Sequence, residues 1–423
     1  MKKFNRTIRR ILILCLCLAL PTGTACAEEI HVLSSGNSWD NLSCRCTLPD
    51  GRILLAGEKQ TEDPNYIRQV WLLCLNPDRT VSWEAADDLY DEVRTAAVLP
   101  DGTIGAVFEN RQMGDKNRPD QVTVKFFTQD GQPTGKSFDL PPECAVARAC
   151  PSWMMAYRWK ENTQTDETET VLFSWDGDIL LRYDGLMMPG AYGEPIDYSD
   201  ELVFAGQDTS ENGHAKILKL DGLTDRILWE TTLNWRLPDT DDARFLNGIR
   251  TEDGGYAVLL QDGNFETPGG FTVWRCFLVK FDAEGRMQWI HRESFEKDDL
   301  YVFWVFPGSN GKIGVYCEPE SDNFFEGFVP LTFFWFDQDG KQLGTTEWLP
   351  EPDEFPVMKK YLEPDESGNE RVPSLSLHKP VRMEDGLWAP ADCHAVEWED
   401  GEFMGICDGS QELVLVRIPE PGE

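Results

Sequence analysis

The chain has 423 residues, with 74 Asp and Glu against 39 Lys and Arg, a formal charge of −35 at pH 7. Phosphate backbones are gripped by clustered cationic side chains, so this balance excludes a nucleic-acid partner. With 41% hydrophobic residues the chain has ample material for a packed core.

The first 27 residues, MKKFNRTIRRILILCLCLALPTGTACA, place a basic front before a short apolar run and end in small residues. That order predicts a secretory signal peptide over 1–27 and a mature chain over 28–423 that is secreted or extracytoplasmic. The apolar run is shorter than the ~20 residues a spanning helix needs, and the mature sequence offers no transmembrane segment. Lipid anchoring on Cys26 is the minor alternative, since GTAC lacks an aliphatic residue three positions before the cysteine. The 39 Lys and Arg, less five in the leader, leave 34 against 74 Asp and Glu, a net charge near −40. Such a charge suits a soluble monomer outside the cell and attracts cations or basic partners.

Nine of the twelve cysteines follow the leader. Cys74, Cys276, Cys317 and Cys407 sit inside apolar runs, where a thiol acts as a small buried hydrophobe. Cys44/Cys46 and Cys144/Cys150 are the candidate disulfide pairs, and no C-x-x-C metal or redox spacing occurs.

A period runs through the mature chain. A short apolar strand after a polar turn recurs as RILLAG (from Arg52), TIGAVFE (Thr103), WMMAYRW (Trp153), ELVFAG (Glu201), GYAVLL (Gly255), KIGVYC (Lys312) and EFMGIC (Glu402). Most copies follow a two-residue turn, among them Asp50-Gly51, Asp101-Gly102, Asp253-Gly254, Asn310-Gly311 and Asp400-Gly401, of the type that closes tight hairpins. Each copy is followed by a second apolar run, from VWLLCL at Val70 to LVLVRI at Leu413. Six of those runs lead through a short turn into a further strand, and the seventh ends at Pro419 without room for one. EIHVLSS, from Glu29, is a strand without a hairpin partner and can supply it. Four strands per unit in seven units predict an all-β, seven-bladed β-propeller closed by an N-terminal strand that completes the last blade. A ring leaves no blade face wet, and the swapped strand ties the termini by backbone hydrogen bonds. The Pro-rich, acidic stretch at about 349–391 reads as an insertion in this single domain, with an eighth, degenerate blade as the alternative.

At KLDGLTDRILWETTL and KFDAEGRMQWIHRE the sequence resembles the repeat of quinoprotein-like (PQQ-like) bacterial β-propellers, Leu-Asp-x-x-Thr-Gly-x-x-x-Trp. Trp83, Trp229 and Trp289 occupy the tryptophan position, and the resemblance implies that they dock neighbouring blades. Catalytic quinoproteins also carry a vicinal disulfide, an aspartate base and a calcium site. Here Arg45 separates Cys44 from Cys46, so no quinone cofactor is expected.

In such a ring the short Asp/Gly turns share one face and the longer connections, such as KQTEDPNY and ENRQMGDKNRPD, share the other, where recognition is expected. Asp40, Asp88, Asp242, Asp299 and Asp392 are read as standing at entries to the innermost strands on that face. Each can satisfy local backbone N–H groups, or together they can form a carboxylate ring for Ca²⁺ or a basic ligand group. No metal site is assigned, because the five histidines are scattered. The leading function is a non-enzymatic propeller that binds a ligand, an extracellular protein or glycan, through its long-loop face. The alternative is a secreted enzyme acting on glycans or peptides with carboxylates at the channel mouth as acid and base.

Overall fold

The computed structural model describes residues 30–36, 41–60, 68–87, 92–110, 121–141, 144–159, 168–184, 186–187, 201–208, 215–221, 226–232, 243–266, 272–291, 300–319, 330–349, 355, 370–383, 385–399, 402–406 and 411–421. The leader, Cys26 and the cleavage site lie outside them. Among the described residues no helix is long and apolar enough to cross a membrane.

The protein is all-β, a β-propeller with six regular four-stranded blades. The strands of these six antiparallel sheets fall within 41–87, 92–140, 144–184, 186–232, 243–291 and 300–348, each pairing in simple chain order. A further sheet of six strands, called the closing sheet below, pairs in the order Ile30–Gly36, Gln411–Ile418, Gly386–Glu399, Glu370–Leu377, with Val381–Met383 and Glu402–Ile406 on the flanks of Gly386–Glu399. First strands of neighbouring sheets contact one another, which makes them the innermost.

The burial of each strand follows from its place in the blade. Third strands are covered on both faces by neighbouring sheets, so Leu331–Phe336 is buried at every position. Fourth strands form the perimeter, and Gln342–Trp348 is mostly exposed. The core therefore lies between sheets. Leu54, Leu72 and Cys74 of the first sheet pack with Val93, Ile104 and Phe108 of the second. Ala257, Leu259 and Leu278 of the fifth pack with Val305, Ile313 and Phe336 of the sixth. The closing sheet is covered on both sides. Leu387, Ala389, Val414 and Val416 meet Phe333 and Trp335 of the sixth sheet, while Trp388, Leu413 and Leu415 meet Ile53, Leu55 and Trp71 of the first. Each such large apolar side chain contributes about 1.5–3 kcal/mol by burial.

The N-terminal strand pairs as the sequence predicts: Ile30 stands opposite Val416, His31 opposite Leu415 and Gly36 opposite Gln411. Its partner's other edge runs along Gly386–Glu399, with Leu387 opposite Ile418 and Cys393 opposite Glu412.

Four details differ from the sequence reading. EFMGIC is not the second strand of the closing sheet. That place belongs to Gly386–Glu399, and Glu402–Ile406 forms a hairpin with the far end of it, Trp398 facing Phe403. Asp400-Gly401 therefore lies between the second and third strands rather than the first and second. Within the 349–391 stretch, Glu370–Leu377, Val381–Met383 and the start of Gly386–Glu399 are strands. Asn310-Gly311 is a two-residue turn, with both residues at positive φ (53° and 73°) and Lys312 N–H donating to Ser309 O (3.1 Å), but the turns at Asp50-Gly51, Asp101-Gly102 and Asp253-Gly254 are longer. In the first, Leu48 N–H donates to Arg52 O (2.8 Å) and Gly51 N–H to Leu48 O (3.0 Å), and the same double bond recurs at 99–103, 251–255 and 282–286. Only the glycine takes positive φ, +84° at Gly51, whereas a two-residue type I′ turn would need it at Asp50 too. Finally, Cys144 and Cys150 stand at opposite ends of the extended segment 144–150, about 20 Å apart at the rise of a strand, too far for a disulfide. Burial pushes the free Cys74 thiol up to about 11, in keeping with a small buried hydrophobe.

Candidate functional site

The repeated tryptophans occupy the junctions between sheets. Trp83 Nε1 donates to Gln129 O of the second sheet (2.8 Å), Trp229 Nε1 to Ala283 O of the fifth (3.1 Å) and Trp289 Nε1 to Gln338 O of the sixth (2.8 Å). Two residues beyond each acceptor is a left-handed glycine, and a Cβ there would lie 2.5 Å from Trp83 at Gly131, 2.4 Å from Trp229 at Gly285 and 2.6 Å from Trp289 at Gly340. A register slip just before each tryptophan aims it. Cys74 faces Trp83 while Leu75 faces Val81, and the same slip precedes Trp229 and Trp289. Such a bulge bends the strand and turns its side chain toward the neighbour. Phe138 holds the corresponding place over Gly177, 3.1 Å from the position a Cβ would take.

Six aspartates of the turn face are engaged within their own turns. Asp50, Asp78, Asp101, Asp253, Asp282 and Asp337 each accept from the backbone N–H of a residue two to four positions on, at 2.8–3.1 Å. At Asp101 the hydroxyl and amide of Thr103 hold the carboxyl below its usual range. At Asp253 burial works the other way, but Lys280, Thr251 and the Gly255 amide outweigh it and the carboxyl is again held low. Lys280, 1% exposed, donates to both Asp253 oxygens at 2.9 and 2.7 Å.

Of the five candidate aspartates, Asp40, Asp88, Asp242 and Asp299 lie outside the described residues. Asp40, Asp242 and Asp299 directly precede innermost strands that begin at Asn41, Ala243 and Leu300. Asp392 does not share that place. It lies inside the second strand of the closing sheet, opposite Ser376 and Leu413, and its Oδ2 is 2.6 Å from His378 Nε2. Its Oδ1 is buried with no hydrogen-bond partner among the described residues. The sequence reading missed this pair because His378 and Asp392 are brought together only by the register of two strands.

The innermost strands of the first, second, third, fifth and sixth sheets each carry a bulge, at Ser43, Arg94, Ala147, Leu246 and Phe303. In the second sheet Arg94 reaches Glu92 (2.6 Å) and the buried Glu109 (2.5 Å). One guanidinium between two carboxylates is a clamp, since both acids are ion-paired rather than split into a proton donor and acceptor. Among the described residues no group of three or more His, Cys, Asp or Glu could hold a metal ion.

No protein-family model matches the chain, and no curated protein matches it significantly. Among solved structures, it is similar to a protein of unknown function from Bacteroides caccae, with 13% identity over 66% of this chain and 90% of that one, TM-score 0.36. It is similar to the acylaminoacyl peptidase of Pyrococcus horikoshii, with 13% identity over 88% of this chain and 53% of that one, TM-score 0.46, so it spans about half of that peptidase. It is also similar to a putative TolB from Agrobacterium tumefaciens, with 12% identity over 63% of this chain and 84% of that one, TM-score 0.35. The β-propeller assignment rests on the strand order of the sheets themselves.

Proposed function

We propose that the chain is a secreted, non-enzymatic, monomeric β-propeller that recognises an extracellular protein or glycan through its long-loop face. In this reading the closing sheet is the seventh blade and the Trp-on-glycine junctions are those of a PQQ-like repeat without its cofactor. The observation that carries the reading is the state of the turn face: Asp50, Asp101, Asp253, Asp282 and Asp337 are bonded to their own turns. A surface whose polar groups are internally satisfied offers a partner few directional contacts, so recognition falls to the opposite ends of the strands. The connections 61–67, 111–120 and 320–329 leave from there, and they carry the length and the polar residues that recognition needs.

The test is a glycan and peptide array probed with the purified protein, followed by product analysis of every hit. Saturable binding with intact ligand recovered supports the proposal. Cleaved product would replace it with the enzymatic reading.

A further inference from the structure

The closing sheet carries, on both flanks, charged contacts that the three Trp-on-glycine junctions lack. Where a tryptophan meets a turn glycine, the contact is a neutral indole N–H on a carbonyl oxygen, insensitive to pH. The sixth sheet has Gly344 in the corresponding fourth-strand place, and nothing lies within 4 Å of where its Cβ would be. The closing sheet has no turn between its third and fourth strands, because the chain termini replace it. A tryptophan there would have no glycine to cover.

Toward the sixth sheet one neutral contact of this kind remains, Trp304 Nε1 donating to Leu377 O (3.2 Å), and charge is added on both flanks. Toward the first sheet, Arg79 occupies the left-handed position that glycine fills in the other turns, with φ of 70°. Its guanidinium pairs with Asp385 and lies 4.4 Å from the centre of the Trp388 ring. Trp388 Nε1 also donates to Asp385 Oδ1 (2.9 Å). Toward the sixth sheet, Glu420 has a fully buried side chain, and it accepts from Ser309 N–H (2.7 Å) and from Arg382 at 2.7 and 3.1 Å. Lys312 of the same turn donates to Pro421 O (2.7 Å). Other junctions carry ion pairs as well, Lys136 with Asp176 at 2.8 Å and Arg52 with Asp130 at 3.7 Å. The acid in both is more exposed than Asp385, 76% and 86% against 47%, and the more a pair meets water the less it contributes.

We propose that the closing sheet is an acid-sensitive latch: protonation of Asp385 and Glu420 loosens both of its flanks while the remaining junctions hold. Burial alone would raise both carboxyls, but Arg79 and Trp388 at Asp385, and Arg382 and the Ser309 amide at Glu420, outweigh it and hold each below its usual range. A depressed carboxyl contributes its stability above the unfolded value, near 4, and loses it as pH falls through that value toward the folded one. The latch therefore holds at neutral pH and loosens as pH falls below about 4. The other charges facing the pair do not reverse this. Arg417 donates to the Asp385 backbone O (3.1 Å), and Asp78 in the Arg79 turn is tied to Thr80. Glu252, near Gly311, is a further acid on the sixth-sheet side. A protonated Glu420 would leave Arg382 beside a neutral acid, which weakens a charge-assisted contact in a buried place.

Hydrogen exchange of the full chain, corrected for the intrinsic pH dependence of exchange, reads the latch directly. Between pH 7 and pH 3, protection should be lost first in 30–36 and 411–418, while 256–260 and 277–281 of the fifth sheet keep theirs. The variant Asp385→Asn/Glu420→Gln should show weak protection of 30–36 and 411–418 already at pH 7, and no further change on acidification. If that variant does not fold, the wild-type pH series decides by itself. Loss of protection in all sheets together, or a wild-type pH response in the folded variant, would overturn the latch.

Discussion

The indole of Trp83 stands over the α-carbon of Gly131, so close that a Cβ would lie 2.5 Å from the ring, and its N–H donates to Gln129 O at 2.8 Å. One contact thus uses both properties of a turn glycine, its left-handed backbone and its missing side chain. Trp229 with Gly285 and Trp289 with Gly340 repeat it at two further junctions.

Two glycines of the fifth sheet separate those properties. Gly254 and Gly285 have nearly equal φ, +81° and +76°, but nothing lies within 4 Å of a Cβ on Gly254. Gly254→Ala should cost about 1–2 kcal/mol, the left-handed penalty alone. Gly285→Ala must also displace Trp229 and should cost about 2–4 kcal/mol. Urea unfolding of both variants checks this, and equal losses would mean that the indole contact adds nothing.

At Trp289 the ring and the hydrogen bond can be told apart in the same way. Trp289→Phe keeps most of the aromatic surface and leaves Gln338 O without its indole donor, a loss of about 1 kcal/mol. Trp289→Ala removes the ring from a junction lined by Leu278 and Phe336 and should cost about 3 kcal/mol. Denaturant midpoints in that order support the docking role, and a neutral Trp289→Ala contradicts it.

Much of this architecture is legible in the sequence, because the two-residue alternation and the Asp/Gly turns recur on a period. The N-terminal strand is found by arithmetic, as the strand left over when one unit lacks a fourth. The closing sheet is misread for a physical reason. Pro390 and Asp392 make Gly386–Glu399 a poor match to a central strand, while EFMGIC after Asp-Gly matches the local cadence. Arg79 is likewise invisible, since nothing local marks a non-glycine residue as left-handed. Phe138 is hidden from an alignment of the fourth strands on their turns, because Gly135 stands four residues after the turn glycine, where the tryptophans stand, and Phe138 three residues further on.

The buried Lys280 links acid stability to one turn. The folded Asp253 carboxyl is held low, so its contribution is complete above about pH 4 and is lost as pH falls through the unfolded value. Asp253→Asn should cost about 1–3 kcal/mol at pH 7, toward the lower end because half of the Asp253 side chain meets water. The difference from wild type should shrink as pH falls below 4. Thermal melts at pH 7, 5 and 3.5 follow it, and a gap independent of pH would remove the ion pair from the account.

Asp242 and Asp299, each preceding an innermost strand, are the carboxylates to test for a cation. If they converge with Asp40 and Asp88 at the channel mouth, Ca²⁺ should raise the melting temperature of the wild type at matched ionic strength. The double variant Asp242→Asn/Asp299→Asn should lose that response together with the saturable heat of calorimetric titration. Equal responses in both proteins would return these residues to capping their strands.

Recognition through the long-loop face is tested most directly by measuring array-identified ligand binding to variants of the two faces side by side. Asp242→Asn/Asp299→Asn should weaken binding of the hit at least tenfold, whereas the turn-face variant Asp101→Asn should bind as the wild type does. Binding lost in Asp101→Asn and retained in the long-loop variant, with both proteins folded, would place recognition on the opposite face and contradict the account.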